Sequence, residues 1–444
     1  MGKIVLIGTN HAGTAAANTI LDNYPGNELV IFEANNNCSY LGCGTALYIG
    51  RQIDGTSGLF YSSKEKLEAK KAKVFMETKV NQIDFDAKKV YAAGRDGKEF
   101  AEVYDKLILA TGSLPIAPPI KGLDTPNVCY VKLFQDCQQI DALLNKPEIK
   151  TVAVVGAGYI GVELAEAVQR RGKQTLLFEA VDTSLSTYYD DWFTHDMDRL
   201  LSDHGIKLHF MEIVKEIEGG DRVKEIKTDK GRYQVDMVIM AIGFKPNTAL
   251  AKDSLETLPN GAYRVNKKQE TSKKDVYAIG DCASVYSNAI ENSSYIALAT
   301  NAVRSGVVAG HNVCGTALES AGVQGSNGIC IYDYKMVSTG LNTKAAEKAG
   351  FSPVSTQFED LQKPGFIKEN NNKVKLRIVY DKNTRRVLGA QMASYQDISM
   401  GIHMFSLAIE EKVTIDKLKL LDIFFLPHFN QPYNYITMAA LTAK

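Results

Sequence analysis

Val152-Ala153-Val154-Val155-Gly156-Ala157-Gly158-Tyr159-Ile160-Gly161 is the stretch whose reading decides the fold. A short β-branched run of this kind reads as a buried parallel strand. It enters a full G-x-G-x-x-G turn. The first glycine permits the tight bend, the second lets backbone approach a pyrophosphate, and the third lets helix and strand pack closely. The alanine-rich residues 161–170 then read as a helix, whose N-terminal N–H groups and positive partial charge face the phosphates. A second strand, 175–178, ends in Glu179, about 20 residues past the first glycine, where a carboxylate accepts from ribose hydroxyls. That carboxylate repels a 2′-phosphate, and Ala180 and Val181 supply no arginine to bind one, so NADH is favoured over NADPH. The glycines alone fit an ordinary helix-capping turn; strand, helix and acid together read as a dinucleotide site.

Toward the N-terminus the pattern recurs. Ile4-Val5-Leu6-Ile7-Gly8 opens the turn Gly8-Thr9-Asn10-His11-Ala12-Gly13, where Asn10 replaces the middle glycine. A helix is predicted over 14–21 and a strand over 29–32, ending in Glu33. Two β-α-β units point to two dinucleotides, one FAD and the other a nicotinamide. The apolar strands read over 106–112 and 238–243 end in small residues before the proline-containing stretches 115–119 and 245–247, which read as crossings between domains. A third strand-and-turn spans 276–281. Asp281 reads equally as an acceptor for a sugar-like hydroxyl of the flavin and as a helix N-cap. From about Gly322 the chain alternates charged turns with strands such as 375–380, then a helix over about 398–411, with no dinucleotide signature.

At roughly 150 residues per domain, 444 residues suggest about three domains. Apolar residues at 45% and charged residues at 23% exclude wholesale disorder. Fifty-one basic against 51 acidic side chains leave no long-range field toward nucleic acid or an anionic membrane. No apolar run approaches the roughly 18 residues of a membrane span. The chain enters a strand directly, unlike a signal peptide. Seven scattered cysteines are too few for a disulfide scaffold. The cytoplasm is therefore the expected compartment, and a special cysteine there is more often catalytic than structural.

Two side chains stand out. Cys43 lies in Ser39-Tyr40-Leu41-Gly42-Cys43-Gly44-Thr45-Ala46, shortly after Glu33. Its flanking glycines let a flat ring approach, and a helical turn from Thr45 is expected to lower the thiol pKa. The alternative is a small buried cysteine without chemistry. Cys38 and Cys43 also form C-x4-C, the spacing of flavin disulfide reductases, which would allow a dithiol–disulfide cycle. His11, inside the first phosphate turn, reads as an acid–base group beside the flavin and Cys43, or as a polar cap on the helix. The remaining cysteines and histidines show no metal-ligand spacing.

The chain resembles the flavin-dependent NADH oxidases, NADH peroxidases and coenzyme A disulfide reductases. The resemblance runs through the residues already quoted, Ala110-Thr111-Gly112-Ser113, Ala278-Ile279-Gly280-Asp281 and Ile296-Ala297-Leu298-Ala299-Thr300-Asn301. The segment Phe424-Phe425-Leu426-Pro427-His428-Phe429-Asn430-Gln431-Pro432-Tyr433-Asn434 looks most like the water-forming NADH oxidases. The resemblance implies an α/β fold of two Rossmann-like dinucleotide-binding domains plus a C-terminal α+β dimerisation domain. The FAD-binding domain would span 1–112 and 248–321, the NADH-binding domain 113–247 and the interface domain 322–444. FAD would meet Gly8, Asn10, His11, Ala12, Gly13, Glu33, Cys43, Val80, Ala110, Ser113, Lys132, Asp281, Ala297, Leu298, Ala299 and, from the other copy of a homodimer, Phe425. NADH would meet Gly156, Gly158, Tyr159, Ile160, Gly161, Glu179, Tyr188 and Gly243. The resemblance further implies that dioxygen is reduced to water with two NADH, through a flavin hydroperoxide and a Cys43 thiolate–sulfenic acid cycle assisted by His11. The oxidases carry an apolar residue where this chain has Cys38. NADH peroxidase, coenzyme A or other disulfide reductase, and a redox-sensing NAD(H)-binding protein are the alternatives.

Overall fold

The computed structural model describes residues 2–444. The two quoted β-branched runs become central strands of two separate parallel sheets. Lys3–Ile7 pairs with Glu28–Phe32 on one side and Lys106–Leu109 on the other. Thr151–Val155 pairs with Gln174–Phe178 and Met237–Met240. Val5, Leu6, Val152, Ala153 and Val154 are wholly buried, as strands covered on both faces must be.

The first sheet gathers distant parts of the chain. Val276–Ala278 pairs with Lys106–Leu109, which delivers Gly280 and Asp281 to the first phosphate turn. Two helices, His11–Asn23 and Ala299–Val313, cross at close range over this sheet. Glycine makes the crossing possible: a Cβ on Gly306 would lie 2.3 Å from the Ala12 carbonyl oxygen, and one on Gly310 would lie 2.7 Å from Thr19 Cβ. The predicted helix over 14–21 starts earlier, because Asn10 is the extended N-cap and His11 is already helical.

The two crossings run side by side, Ser113–Pro115 pairing antiparallel with Phe244–Pro246. Beyond them, residues 327–394 build a five-stranded antiparallel sheet around Val387–Ser394, a strand buried at every position. Helix Ser399–Glu410 packs on it, close to the predicted 398–411. Buried Asp190 ties this sheet to the second unit, accepting from Gln391 Nε2 at 2.8 Å and Thr343 Oγ1 at 3.0 Å, with the Arg377 guanidinium 3.3 Å away. The fold is thus α/β with two Rossmann-like units and a C-terminal α+β unit. Among the described residues, no helix is long and apolar enough to cross a membrane.

Candidate active site

The first phosphate turn is shaped by contacts that only glycine permits. Gly8 has φ +99°, and a Cβ there would lie 2.3 Å from the Ala110 carbonyl oxygen. A Cβ on Gly13 would lie 1.9 Å from the Gly8 carbonyl oxygen, so the helix starts directly on the turn. Glu33 follows its strand into a buried place. Its carboxylate accepts from Thr9 N at 2.7 Å, Thr9 Oγ1 at 2.8 Å and Asn35 N at 2.7 Å. Burial pushes the carboxyl pKa up, against the pull of these donors. Next to this acid a cavity of about 510 Å³ opens, lined by Ala34, Asn35, Asn36, Lys79 and Asn81 among others. Its place and size fit the nucleoside end of a dinucleotide. Val80 lies between Lys79 and Asn81 of that lining. Its side chain is 6% exposed and faces the core, so only backbone could meet a ligand, where the strand bulges between Val80 and Gln82.

The second turn repeats this construction. Gly156 has φ +102°, and a Cβ on Gly161 would lie 1.8 Å from the Gly156 carbonyl oxygen. Nothing lies within 4 Å of a Cβ built on Gly158, which leaves room over the middle glycine for a pyrophosphate. Glu179 accepts from Ala157 N and Ala180 N, both at 2.7 Å. Oε1 also accepts from Val181 N at 3.4 Å, whereas Oε2, with a single donor, retains a lone pair for a ribose hydroxyl. Tyr159 and Ile160 open the helix Tyr159–Arg170. The Tyr159 ring packs on Tyr188 with centroids 4.4 Å apart, and its hydroxyl meets Tyr189 at 2.7 Å and Asn327 of the C-terminal unit. Gly243 turns the chain out of the sheet with φ +105°.

The acid's position makes a prediction. Glu179→Ala combined with Ala180→Arg should move the preference toward NADPH by roughly 10–100-fold, because it removes a repelling charge and adds a charge-assisted donor worth about 1.5–3 kcal/mol. The ratio of kcat/KM for the two nucleotides measures it; an unchanged ratio would remove Glu179 from recognition.

Cys43 sits in the 3₁₀ turn Gly42–Gly44, ahead of the short helix Thr45–Ile49. It is exposed, which excludes the buried inert cysteine. The loop is stitched to its neighbours. Leu41 N donates to Leu59 O at 2.9 Å, and Ser39 N donates to Thr9 O at 2.9 Å. Ser39 Oγ accepts from Tyr61 N at 3.1 Å and Ser62 N at 2.7 Å. His11 joins this cluster: its Nδ1 is 2.9 Å from Tyr61 Oη, with the rings stacked at 5.9 Å and 9°. His11 is the first helical residue and Asn10 the cap, so the polar-cap reading of His11 fails.

Asp281 lies within the 3₁₀ turn Gly280–Cys282 and heads no α-helix, so the N-cap alternative fails too. Its carboxylate accepts from Ser113 Oγ at 2.8 Å and Lys132 Nζ at 3.3 Å. Lys132 also donates to Ser113 Oγ at 2.7 Å and lies 4.7 Å from the Phe244 ring centroid. Asp281 and Leu298 line one small cleft, at the start of helix Ala299–Val313. Phe425 is 48% exposed among the exposed Phe424, Leu426 and Phe429.

His11 and Cys43 both lie within the field of Lys132 and Asp281. Burial lowers the His11 pKa, Asp281 opposing and Lys132 assisting, so the imidazole is neutral at pH 7. The expected low thiol pKa of Cys43 is overturned. Solvent reaches the side chain, yet the surrounding protein desolvates a thiolate and pushes the pKa up; Glu163 adds to this. A five-residue helix provides too small a dipole to win. Burial, with Glu166 adding, lifts Glu163 itself to about 7. Cys38 is a buried free thiol donating to Met76 Sδ at 3.7 Å, in the core beneath the helix His11–Asn23. Its pKa is raised, chiefly by burial.

Sequence reading overlooked Ser39, Tyr61 and Glu163. Glu163 carried a faint signal, lying on the helix that follows the second glycine turn. Ser39 and Tyr61 belong to loops without periodicity.

Comparisons with known proteins agree with this architecture. The pyridine nucleotide-disulphide oxidoreductase family matches residues 2–306, and the dimerisation domain of that family matches residues 327–434. An NADH oxidase of Streptococcus pyogenes serotype M6 is 58% identical over 100% of both chains. The water-forming NADH oxidase of Lactobacillus brevis, solved bound to NADH, superposes with a TM-score of 0.96 at 37% identity, over 99% of this chain and 98% of that one. An engineered water-forming NADPH oxidase, solved bound to NADPH, gives the same TM-score at 36% identity, over 99% and 97%. With both glycine turns, the two acids and the C-terminal sheet in place, the chain belongs to the pyridine nucleotide-disulphide oxidoreductase family, among its NADH oxidases.

Proposed function

We propose that this protein is an FAD-dependent NADH oxidase that reduces dioxygen to water with two NADH, using Cys43 as the peroxide trap. The observation that carries this reading is the Cys43 loop. It presents one exposed thiol between two glycines, within the field of the same Lys132 and Asp281 that act on His11, while Cys38 is withdrawn into the core. Residues 1–112 and 248–321 would hold FAD, 113–247 NADH, and 322–444 would pair two copies, with the exposed Phe425 reaching the other site. The apolar strip at 424–429 supports such pairing.

When bound, FAD supplies hydride acceptance from NADH and electron delivery to dioxygen and to oxidised Cys43. Glu33 and the Gly8–Gly13 turn would hold its adenosine and pyrophosphate, and Asp281, Lys132 and Ser113 would meet the remainder of the cofactor. The Gly156–Gly161 turn and Glu179 hold NADH. The Cys43 sulfur attacks one oxygen of hydrogen peroxide; an S–O bond forms, the O–O bond breaks, and the departing oxygen leaves as water. His11 handles the proton. The resulting Cys43 sulfenic acid is reduced by the second NADH equivalent, giving the second water and restoring the thiol.

The buried place of Cys38 speaks against a Cys38–Cys43 disulfide cycle. An oxygen-electrode trace tests the main reading. Two NADH should disappear per dioxygen, and catalase added midway should return no oxygen. Oxygen returned in quantity would overturn water formation, and no oxygen uptake would favour a peroxidase.

A further inference from the structure

We propose that Tyr61 is a positioning residue of this site: its phenol oxygen accepts a hydrogen bond from Nδ1–H of His11 and thereby leaves the Nε2 lone pair free to act as base toward Cys43. The inference rests on the reading of Cys43 as a peroxide trap.

Geometry fixes the pair. Tyr61 Oη lies 2.9 Å from His11 Nδ1, and the near-parallel rings set the plane as well as the distance. Tyr61 is held by Ser39, which also donates to Thr9 of the first phosphate turn and leads into the Cys43 loop. Ser39 thus ties the Tyr61 segment, through its Oγ, and the turn that carries His11, through its N–H, to the loop that carries Cys43. The other imidazole nitrogen, Nε2, has no hydrogen-bond partner among the described residues.

Chemistry selects the tautomer. A neutral imidazole carries one donor and one acceptor nitrogen. If Nδ1 took the phenol proton, Nε2 would carry a hydrogen and could accept none. Cys43 needs an acceptor, because its surroundings favour the protonated thiol. Burial keeps His11 in its neutral, basic form. Tyr61 is 41% exposed, so its own hydroxyl hydrogen has water to bind.

The step then balances. The Cys43 S–H proton passes to His11 Nε2 as sulfur attacks hydrogen peroxide. The S–O bond forms, the O–O bond breaks, and the departing oxygen takes the proton from Nε2 as water. Sulfur is oxidised by two electrons, peroxide is reduced by two, and His11 returns to its starting form. The hydrogen on Nδ1 stays in place, with Tyr61 as acceptor, much as a carboxylate serves the histidine of a Ser-His-Asp triad.

Tyr61→Phe keeps the ring stack and deletes only the oxygen. The first readout is the tautomer, by nitrogen NMR of holoenzyme labelled in histidine, with His11→Asn assigning the signal. Wild-type His11 should carry its proton on Nδ1, and Tyr61→Phe should shift it toward Nε2. The second readout is oxidation of Cys43 by added hydrogen peroxide, which should slow by roughly 10–100-fold in Tyr61→Phe, with flavin content unchanged. A wild-type enzyme protonated on Nε2, or a variant with unaltered tautomer and rate, would overturn the proposal. The underlying reading fails separately: Cys43→Ser forming only water sinks the peroxide trap, whereas an inert Tyr61→Phe beside a peroxide-releasing Cys43→Ser sinks the Tyr61 assignment alone.

Discussion

Cys43→Ser should keep oxidising NADH with dioxygen but release hydrogen peroxide in place of water. Serine matches cysteine in size, and the exposed 3₁₀ turn Gly42–Gly44 offers room for it, so the fold and both nucleotide sites should survive. What disappears is the soft nucleophile: an alcohol attacks peroxide far more poorly than a thiol or thiolate. Without the trap, each dioxygen takes up one hydride equivalent and departs half-reduced. The NADH-to-dioxygen ratio should therefore fall from two toward one, and catalase added midway should return half of the oxygen consumed. Peroxide assay of the spent mixture gives the same answer independently. A serine variant that makes only water would remove Cys43 from the chemistry.

Gly13→Ala should yield folded protein without flavin. The added methyl carbon would sit 1.9 Å from the Gly8 carbonyl oxygen, a distance that forces turn and helix apart. The N–H groups that face a pyrophosphate would then be misdirected. A loss of at least about 100-fold in FAD affinity, near 2.7 kcal/mol, is expected. Gly161→Ala makes the corresponding clash in the second unit, 1.8 Å from the Gly156 carbonyl oxygen. That variant should keep its flavin absorbance and lose NADH binding. The two purified variants are compared by flavin-to-protein ratio and NADH titration. Stoichiometric flavin in Gly13→Ala would refute the role of this turn.

The sequence legibly encoded both units because their determinants are local. Strand, glycine turn, helix and terminal acid follow one another within about 30 residues, so Gly8, Gly13, Glu33, Gly156, Gly161 and Glu179 could be placed from spacing. Asp281 could not. Whether it caps a helix or faces the first turn depends on Val276–Ala278 pairing with Lys106–Leu109, more than 160 residues away along the chain. Cys43 was legible as a candidate, but its electrostatics were not. Helix position suggested a lowered pKa, whereas burial and Glu163, from the second unit, raise it. Tyr61 left no trace, because its partnership with His11 is created by loop packing through Ser39.

The antiparallel pairing of Ser113–Pro115 with Phe244–Pro246 has an architectural consequence. Chain departure and chain return occupy adjacent strands, about 5 Å apart, so the intervening module is spliced into its host at a single seam. Such a seam suits cassette exchange. A graft between Ser113 and Pro246 could bring in another coenzyme preference while the host sheet keeps its register. The surfaces to be matched on the graft include those facing Tyr40, Ile49 and Gly50 and, around Asp190, the one facing the C-terminal sheet.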